Sequence, residues 1–457
     1  MRDLFTTIGT RYLIAILNLA LIFINAKVLG VEGVGLVGLI LAIVGIATMF
    51  CGILAGNTIV YFMNRYSMQA VFLPSYCWTP IGAGIACGCM AILGVLPEGY
   101  TLDIYILSIL TSLVAANSRF LLGKNQIFGF NLTFVLQGGL LFFVLLFLYY
   151  GLKIQKVSAY LWGMYFTNGI AFLVSLFLLL PFLNKKEADP RKGRSQYALL
   201  KEMFAYGLWG SADNIAEILT TRLNYFLIQR FAGLGSVGLL DAGTKISESV
   251  WHINRSIGFI TYSRVAQTHN PGEQKQITLS FFKLTFCAVT LATGCILLIP
   301  EWIYTDYLFS AEFAGMRNVI TGLSVGIIAL ACNSILCQYF TGSGKIRYSA
   351  GSSFVGLISL LISGYLLIPH YKVFGSAISS SIAFSTMLAF SMIIFFLINK
   401  EDVRFALRKL RLTHDGSSSL TIFLVLPSQP WMYPFVNPAT ELDSISSFLS
   451  KAGNEGS

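Results

Sequence analysis

Charge is what this chain lacks. Only 11% of its 457 residues are charged, against 55% hydrophobic and a mean hydropathy of +0.72. A soluble domain carries about twice that charged fraction, so a soluble globular fold is excluded. Histidine is also scarce, with four in the whole chain. No HExxH or GxxxxGK[ST] motif occurs, and each of those chemistries needs its residues at that spacing. The chain therefore reads as no enzyme. None of the eight cysteines forms a CxxC, so metal and redox chemistry lack their usual ligand spacing. Cys51, Cys77, Cys87, Cys89, Cys287, Cys295, Cys332 and Cys337 read instead as small apolar packing residues, and no metal site or cofactor is expected. No small-residue cleavage site separates Met1–Thr10 from the first apolar run, so no cleavable signal peptide is expected.

What remains is apolar sequence in runs long enough to cross a bilayer. Twelve are expected, at about 10–29, 34–56, 71–96, 102–122, 127–150, 158–183, 205–231, 237–262, 279–300, 316–340, 349–368 and 374–399. The fold class is thus an all-α polytopic membrane protein. Most Lys and Arg fall in segments on one side, including Lys185, Lys186, Arg191, Lys192, Arg194, Lys345, Arg347 and the run Lys400 to Arg411. The other side holds only Lys27, Lys153, Lys156, Arg230, Arg317 and Lys372. The positive-inside bias then sets both termini in the cytoplasm and accounts for most of the net charge of +10 without nucleic acid. The outer loops are short. The longest runs from near Glu301 to Gly315, which leaves no folded outer domain for a membrane polymerase or ligase.

The two halves echo one another. Gly30, Val34, Gly35 and Leu36 after span one recur as Gly233, Val237, Gly238 and Leu239 after span seven, at an offset of 203. Gly123-Lys124-Asn125-Gln126-Ile127 after span four is echoed by Gly342-Ser343-Gly344-Lys345-Ile346 after span ten. The expected organisation is an N-terminal six-helix lobe at 1–183, a basic cytoplasmic linker at 184–204, a C-terminal six-helix lobe at 205–399, and a basic segment with a mobile tail at 400–457. Six is even, so the repeats are parallel and related by an axis along the membrane normal, with a central cavity between them. Gly52/Gly56 and Gly84/Gly88 read as small-xxx-small pairs for close helix approach.

Against this apolar background, span eight places Asp241, Lys245, Glu248, His252 and Arg255 at steps of four, three, four and three, all on one helix face. Span seven adds Asp213, Glu217 and Arg222. A charge at the bilayer centre costs roughly 3 kcal/mol, so these groups face a wet cavity or pair inside the bundle. Asp241 with Lys245, and Glu248 with Lys245 or His252, are the expected contacts along the helix. A shift of 203 lands the stripe on Gly38, Ala42, Gly45, Met49 and Gly52, so the fold itself does not demand charge there. One reading is an ion-pair network that staples the spans. In the other, Arg222, Lys245 and Arg255 attract an anionic substrate group, while Asp213, Glu217, Asp241, Glu248 or His252 loads a proton or sodium ion. Asn18 and Asn25 share a stripe of span one, for interhelical bonding or for lining the cavity.

The run Ala26-Lys27-Val28-Leu29-Gly30-Val31-Glu32-Gly33-Val34-Gly35, with Phe231-Ala232-Gly233-Leu234-Gly235-Ser236-Val237-Gly238 in the second half, resembles the polysaccharide transporter branch of the multidrug/oligosaccharidyl-lipid/polysaccharide flippase superfamily. That resemblance, over about residues 1 to 411, implies a V-shaped pair of lobes with alternating access in a bacterial inner membrane. It implies a flippase for a polyprenyl-pyrophosphate-linked oligosaccharide of lipopolysaccharide O-antigen, capsule or exopolysaccharide, working beside other assembly proteins. Arg222, Lys245 and Arg255 would suit the pyrophosphate, whereas the four nearby acids depart from a purely cationic cavity. A cation-coupled multidrug exporter of the same architecture and a non-transporting scaffold of a glycan assembly complex are the alternatives.

Overall fold

The computed structural model describes residues 2–63, 65–184, 196–268 and 270–399, with the side chains of 2–8, 10–12, 196, 209–210, 252–253, 255–256 and 259 outside that description. The expected linker core and tail therefore lie outside the described residues. Within them the chain is helical and contains no strand. In order the helices are α1 (Arg2–Ala55), α2 (Asn57–Met63), α3 (Met68–Ile92), α4 (Thr101–Gly123), α5 (Ile127–Phe134), α6 (Leu140–Leu146) and α7 (Val157–Asn184). They continue as α8 (Gln196–Ser249), α9 (Trp251–Gln267), α10 (Pro271–Leu297), α11 (Met316–Gly342) and α12 (Arg347–Ile398).

Three of these are too long to be one pass, and each is interrupted by a single residue in the left-handed region. Gly30 (φ 69°) divides α1, Gly233 (φ 81°) divides α8 and Lys372 (φ 48°) divides α12. The halves of α1 and of α12 are spans one, two, eleven and twelve. Span five is α5 and α6 joined through π turns at Val135–Gly139 and Phe147–Gly151. Span seven is the first half of α8, and span eight is its second half continued into α9. Helices α3, α4, α7, α10 and α11 supply the other five. The total is twelve passes, in two six-helix repeats.

The backbone carries the repeat more clearly than the side chains do. Gly30 and Gly233 stand 203 apart, and both are left-handed. Asn125 (φ 56°) and Gly344 (φ 77°) stand 219 apart, as do Lys153 (φ 57°) and Lys372 (φ 48°). The ends of α4 and α11 also close identically. Gln126 N donates to Leu121 O at 2.9 Å and Asn125 N to Leu122 O at 3.0 Å. Lys345 N donates to Phe340 O at 2.6 Å and Gly344 N to Thr341 O at 3.1 Å. Both are Schellman caps, in which a left-handed residue lets the chain turn back on the last carbonyls.

The halves meet chiefly where α1 lies along α8. A methyl on Gly35 would fall on the carbonyl oxygen of Leu234, and one on Gly238 would fall on that of Val31. Val31 and Leu234, like Gly35 and Gly238, are 203 apart, so the contact is reciprocal, as at a two-fold axis. Spans two and eight cross on that axis with backbones touching, which only glycine permits. The second inter-half contact at this end is Glu312, whose carboxylate accepts from Val31 N at 2.9 Å. It reaches across the space that a Cβ on Gly30 would fill.

The glycine pairs read as close-approach motifs behave differently. An added methyl on Gly52 or Gly88 meets nothing within 4 Å, and on Gly84 only the edge of Tyr105 at 3.8 Å. The one tight contact at these pairs is within the segment itself, where a methyl on Gly56 would fall on the carbonyl oxygen of Gly52 and not on another helix. Substitution should separate the two classes. Gly238→Val should cost about 1–3 kcal/mol or more through overpacking of the axis. Gly52→Ala should leave thermal unfolding in detergent unchanged.

Candidate functional site

Past Gly233, the second half of α8 is helical, so Asp241, Lys245 and Glu248 lie one turn apart on one face. Arg222 and Tyr225, a turn apart on span seven, face them. The side chains join in one line. Glu248 Oε2 accepts from Arg222 Nη2 at 3.0 Å, and Arg222 Nη1 donates to the Tyr225 hydroxyl at 2.8 Å. Tyr225 in turn donates to Asp241 Oδ1 at 3.2 Å, and Asp241 Oδ2 accepts from Lys245 Nζ at 2.7 Å. Two carboxylates and two cations thus neutralise one another through a shared phenol.

The burial along this line is uneven. The Asp241 side chain is 2% exposed, while Arg222, Glu248 and Lys245 keep 24%, 19% and 28%. Both cations therefore present part of their surface, and Asp241 presents almost none. Asp241 is seated against span two of the other half, where a methyl on Gly38 would stand 2.7 Å from Asp241 Cγ. Gly38 is the residue 203 before Asp241. The small residue in one half makes the room that the charged residue in the other half occupies.

Several expectations meet their outcome here. The Asp241–Lys245 contact forms as expected, with the acid four residues before the base, the favoured order on a helix. Glu248 does not pair with Lys245; it reaches Arg222 across to span seven, because Lys245 is already held one turn back. Asp213 turns away from this line. It accepts from Ser349 at 2.9 Å and Ser353 at 2.7 Å, both on span eleven. Glu217 is exposed on span seven. The side chains of His252 and Arg255 lie outside the described residues, although both positions are in α9. Span eight is interrupted at Val250, between Glu248 and those two positions.

In the first half, Asn25 accepts from the Tyr149 hydroxyl at 3.0 Å and so ties span one to span five. Asn18 is exposed, and its amide nitrogen lies beside the π turn of span five, 4.0 Å from where a Gly138 methyl would stand. In that same turn Gln137 donates to Asn168 of span six at 2.8 Å. Sequence reasoning missed Tyr225, whose signal was its spacing of three from Arg222, and missed Gln137 and Asn168. A stability test follows from the line itself. Glu248→Leu alone leaves Arg222 unpaired and should cost roughly 1–3 kcal/mol. The double Arg222→Leu/Glu248→Leu variant should recover most of that loss in thermal unfolding, because no lone charge remains.

A protein-family model described as "Polysaccharide biosynthesis protein" matches residues 1–261. A putative O-antigen transporter of Shigella flexneri is 22% identical over 231 residues, which cover 50% of this chain and 53% of that protein. The chain spans about half the length of the curated relatives it matches. Among solved structures, an inward-facing multidrug resistance MATE family transporter of the MOP superfamily aligns with a TM-score of 0.65 at 16% identity, covering 88% of this chain and 96% of that one. The lipid II flippase MurJ in an inward closed conformation aligns with a TM-score of 0.59 at 14% identity, covering 91% and 94%. At such identities the likeness is one of fold.

Proposed function

We propose that this chain, which belongs to the polysaccharide biosynthesis protein family, is a flippase that carries a polyprenyl-pyrophosphate-linked oligosaccharide from the cytoplasmic to the outer leaflet of a bacterial inner membrane. The product would feed a surface polysaccharide such as O-antigen, capsule or exopolysaccharide. The observation that carries this reading is the pair of partly exposed cations, Arg222 and Lys245, held ready inside the membrane on one continuous line of hydrogen bonds. A guanidinium and an ammonium on adjacent helices suit the oxygens of a pyrophosphate. Arg255, nearly three helical turns (about 2.8) beyond Lys245 on span eight, would extend the same face.

In this reading the halves 1–183 and 205–399 act as lobes that rock about the Gly35/Gly238 crossing, with both termini in the cytoplasm. The lipid tail stays in the bilayer while the head group passes between the lobes, and no bond is made or broken. The exposed amide of Asn18 is suited to sugar hydroxyls. Asn25 serves by tying span one to span five. Of the acids, Asp213, Glu217, Asp241 and Glu248 are the candidates to load a coupling proton or sodium ion, and His252 is a further one. A cation-coupled multidrug exporter of the same fold is favoured by one observation: on the bonded line, acids equal bases in number.

Sidedness of the lipid-linked oligosaccharide, read by an impermeant sugar probe on oriented vesicles, separates the two. Loss of the protein should trap the intermediate on the cytoplasmic face. The intact chain should release it, whereas Arg222→Ala and Lys245→Ala should not. Unchanged sidedness together with altered drug sensitivity would move the function to drug export.

A further inference from the structure

An anion site whose cations are already occupied by carboxylates presents a physical problem, and the surroundings of Glu248 offer its solution. Beside Glu248, between spans seven, eight, ten and twelve, lies a small, partly enclosed pocket of about 10 Å³, room for one water at most. Its polar lining is Thr221, Asn224, Tyr225, Thr244 and Ser380, and Glu248 is one wall. The Asn224 amide is already spent on Ser376 O and on the Ser379 and Ser380 hydroxyl oxygens. Ser380 accepts in that contact and keeps its own proton to give, as does Thr244. Thr244 sits four residues before Glu248 on the same helix face and lines the same pocket.

We propose that Glu248 and Asp241 are built-in occupants of the anion site. They neutralise Arg222 and Lys245 while the carrier is empty, and the anionic head group of the substrate displaces them. The displaced Glu248 turns from Arg222 towards the pocket it already lines, displacing whatever water the pocket holds, and Thr244 and Ser380 donate to it. Asp241 has no such exit, since Gly38 of the opposite half closes over it. It is released only partly, through Tyr225, which bonds both ion pairs and passes a change at Arg222 to Asp241. The empty carrier is thereby electrically closed and can return across the membrane without unpaired charge. Asp241 and Glu248 are then counter-ions to the substrate site, which narrows the candidates for loading a coupling ion to Asp213, Glu217 and His252. This inference rests on the reading of Arg222 and Lys245 as the anion-binding pair.

The test is equilibrium binding of farnesyl pyrophosphate, a short pyrophosphate-bearing amphiphile, to the full chain in detergent micelles, with folding checked by thermal unfolding. Glu248→Gln keeps the shape and removes the competing charge, so it should bind about tenfold tighter, one competing contact having been lost. Thr244→Val removes the receiving hydroxyl and should bind more weakly than the unaltered chain. In the Glu248→Gln background, Thr244→Val should change nothing, because there is no carboxylate to receive. Arg222→Gln should weaken binding about tenfold. If Arg222→Gln weakens binding but Glu248→Gln is no tighter than the unaltered chain, the counter-ion role is overturned and the anion site stands. If neither Arg222→Gln nor Lys245→Gln alters binding, or the unaltered chain binds none, the anion site itself falls and this inference with it.

Discussion

A bilayer does not tolerate an unpaired charge, and that one constraint organises the middle of this protein. Arg222, Asp241, Lys245 and Glu248 are acceptable inside the membrane because each is bonded to an opposite charge or to Tyr225. Removing any one leaves its partner alone in a medium that cannot solvate it. The same pairing explains why the second half of α8 can be helical and apolar on its other faces while carrying three charged residues. It also explains why span two opposite must be small: a larger residue than Gly38 would push Asp241 off its base. The chemistry of one half is thus written partly in the glycines of the other.

The crossing of spans two and eight is the mechanical counterpart. With Gly35 and Gly238 each against the other half's backbone, the halves share a crossing at which backbone meets backbone. A contact of that kind resists separation weakly and resists compression strongly. A few ångströms along the same axis sits Asp241, so the charged line begins where the halves are held closest. Glu312 adds a carboxylate bond to the first free backbone N–H of span two, the end of a helix that favours negative charge.

Much of this was legible in the sequence and some was not, for definite reasons. Twelve passes follow from apolar length alone, and the glycine echo after spans one and seven marks two breaks that the backbone indeed makes with positive φ. The matching turn at Lys153 and Lys372 was invisible, because lysine is seldom left-handed and neither position carries a glycine. The charged stripe was legible as a face, since helical periodicity alone puts Asp241, Lys245 and Glu248 together. Their partners across helices were not. Which span faces Glu248 depends on the register between spans seven and eight, and no local spacing encodes it. Asp213 shows the same limit, since its two serine partners lie 136 and 140 residues away.

Gly38 and Asp241 stand at equivalent positions of the two repeats and touch across the axis that relates them. A protein assembled from two identical six-helix chains would set each axis residue against its own copy. Two aspartates there would bring like charges into contact inside the membrane, and two glycines would leave no acid for Lys245. The electrostatics of this protein is therefore available only to a fused chain, in which the two copies are free to diverge. Symmetry supplied the crossing, and its breaking at one pair of positions supplied the charge.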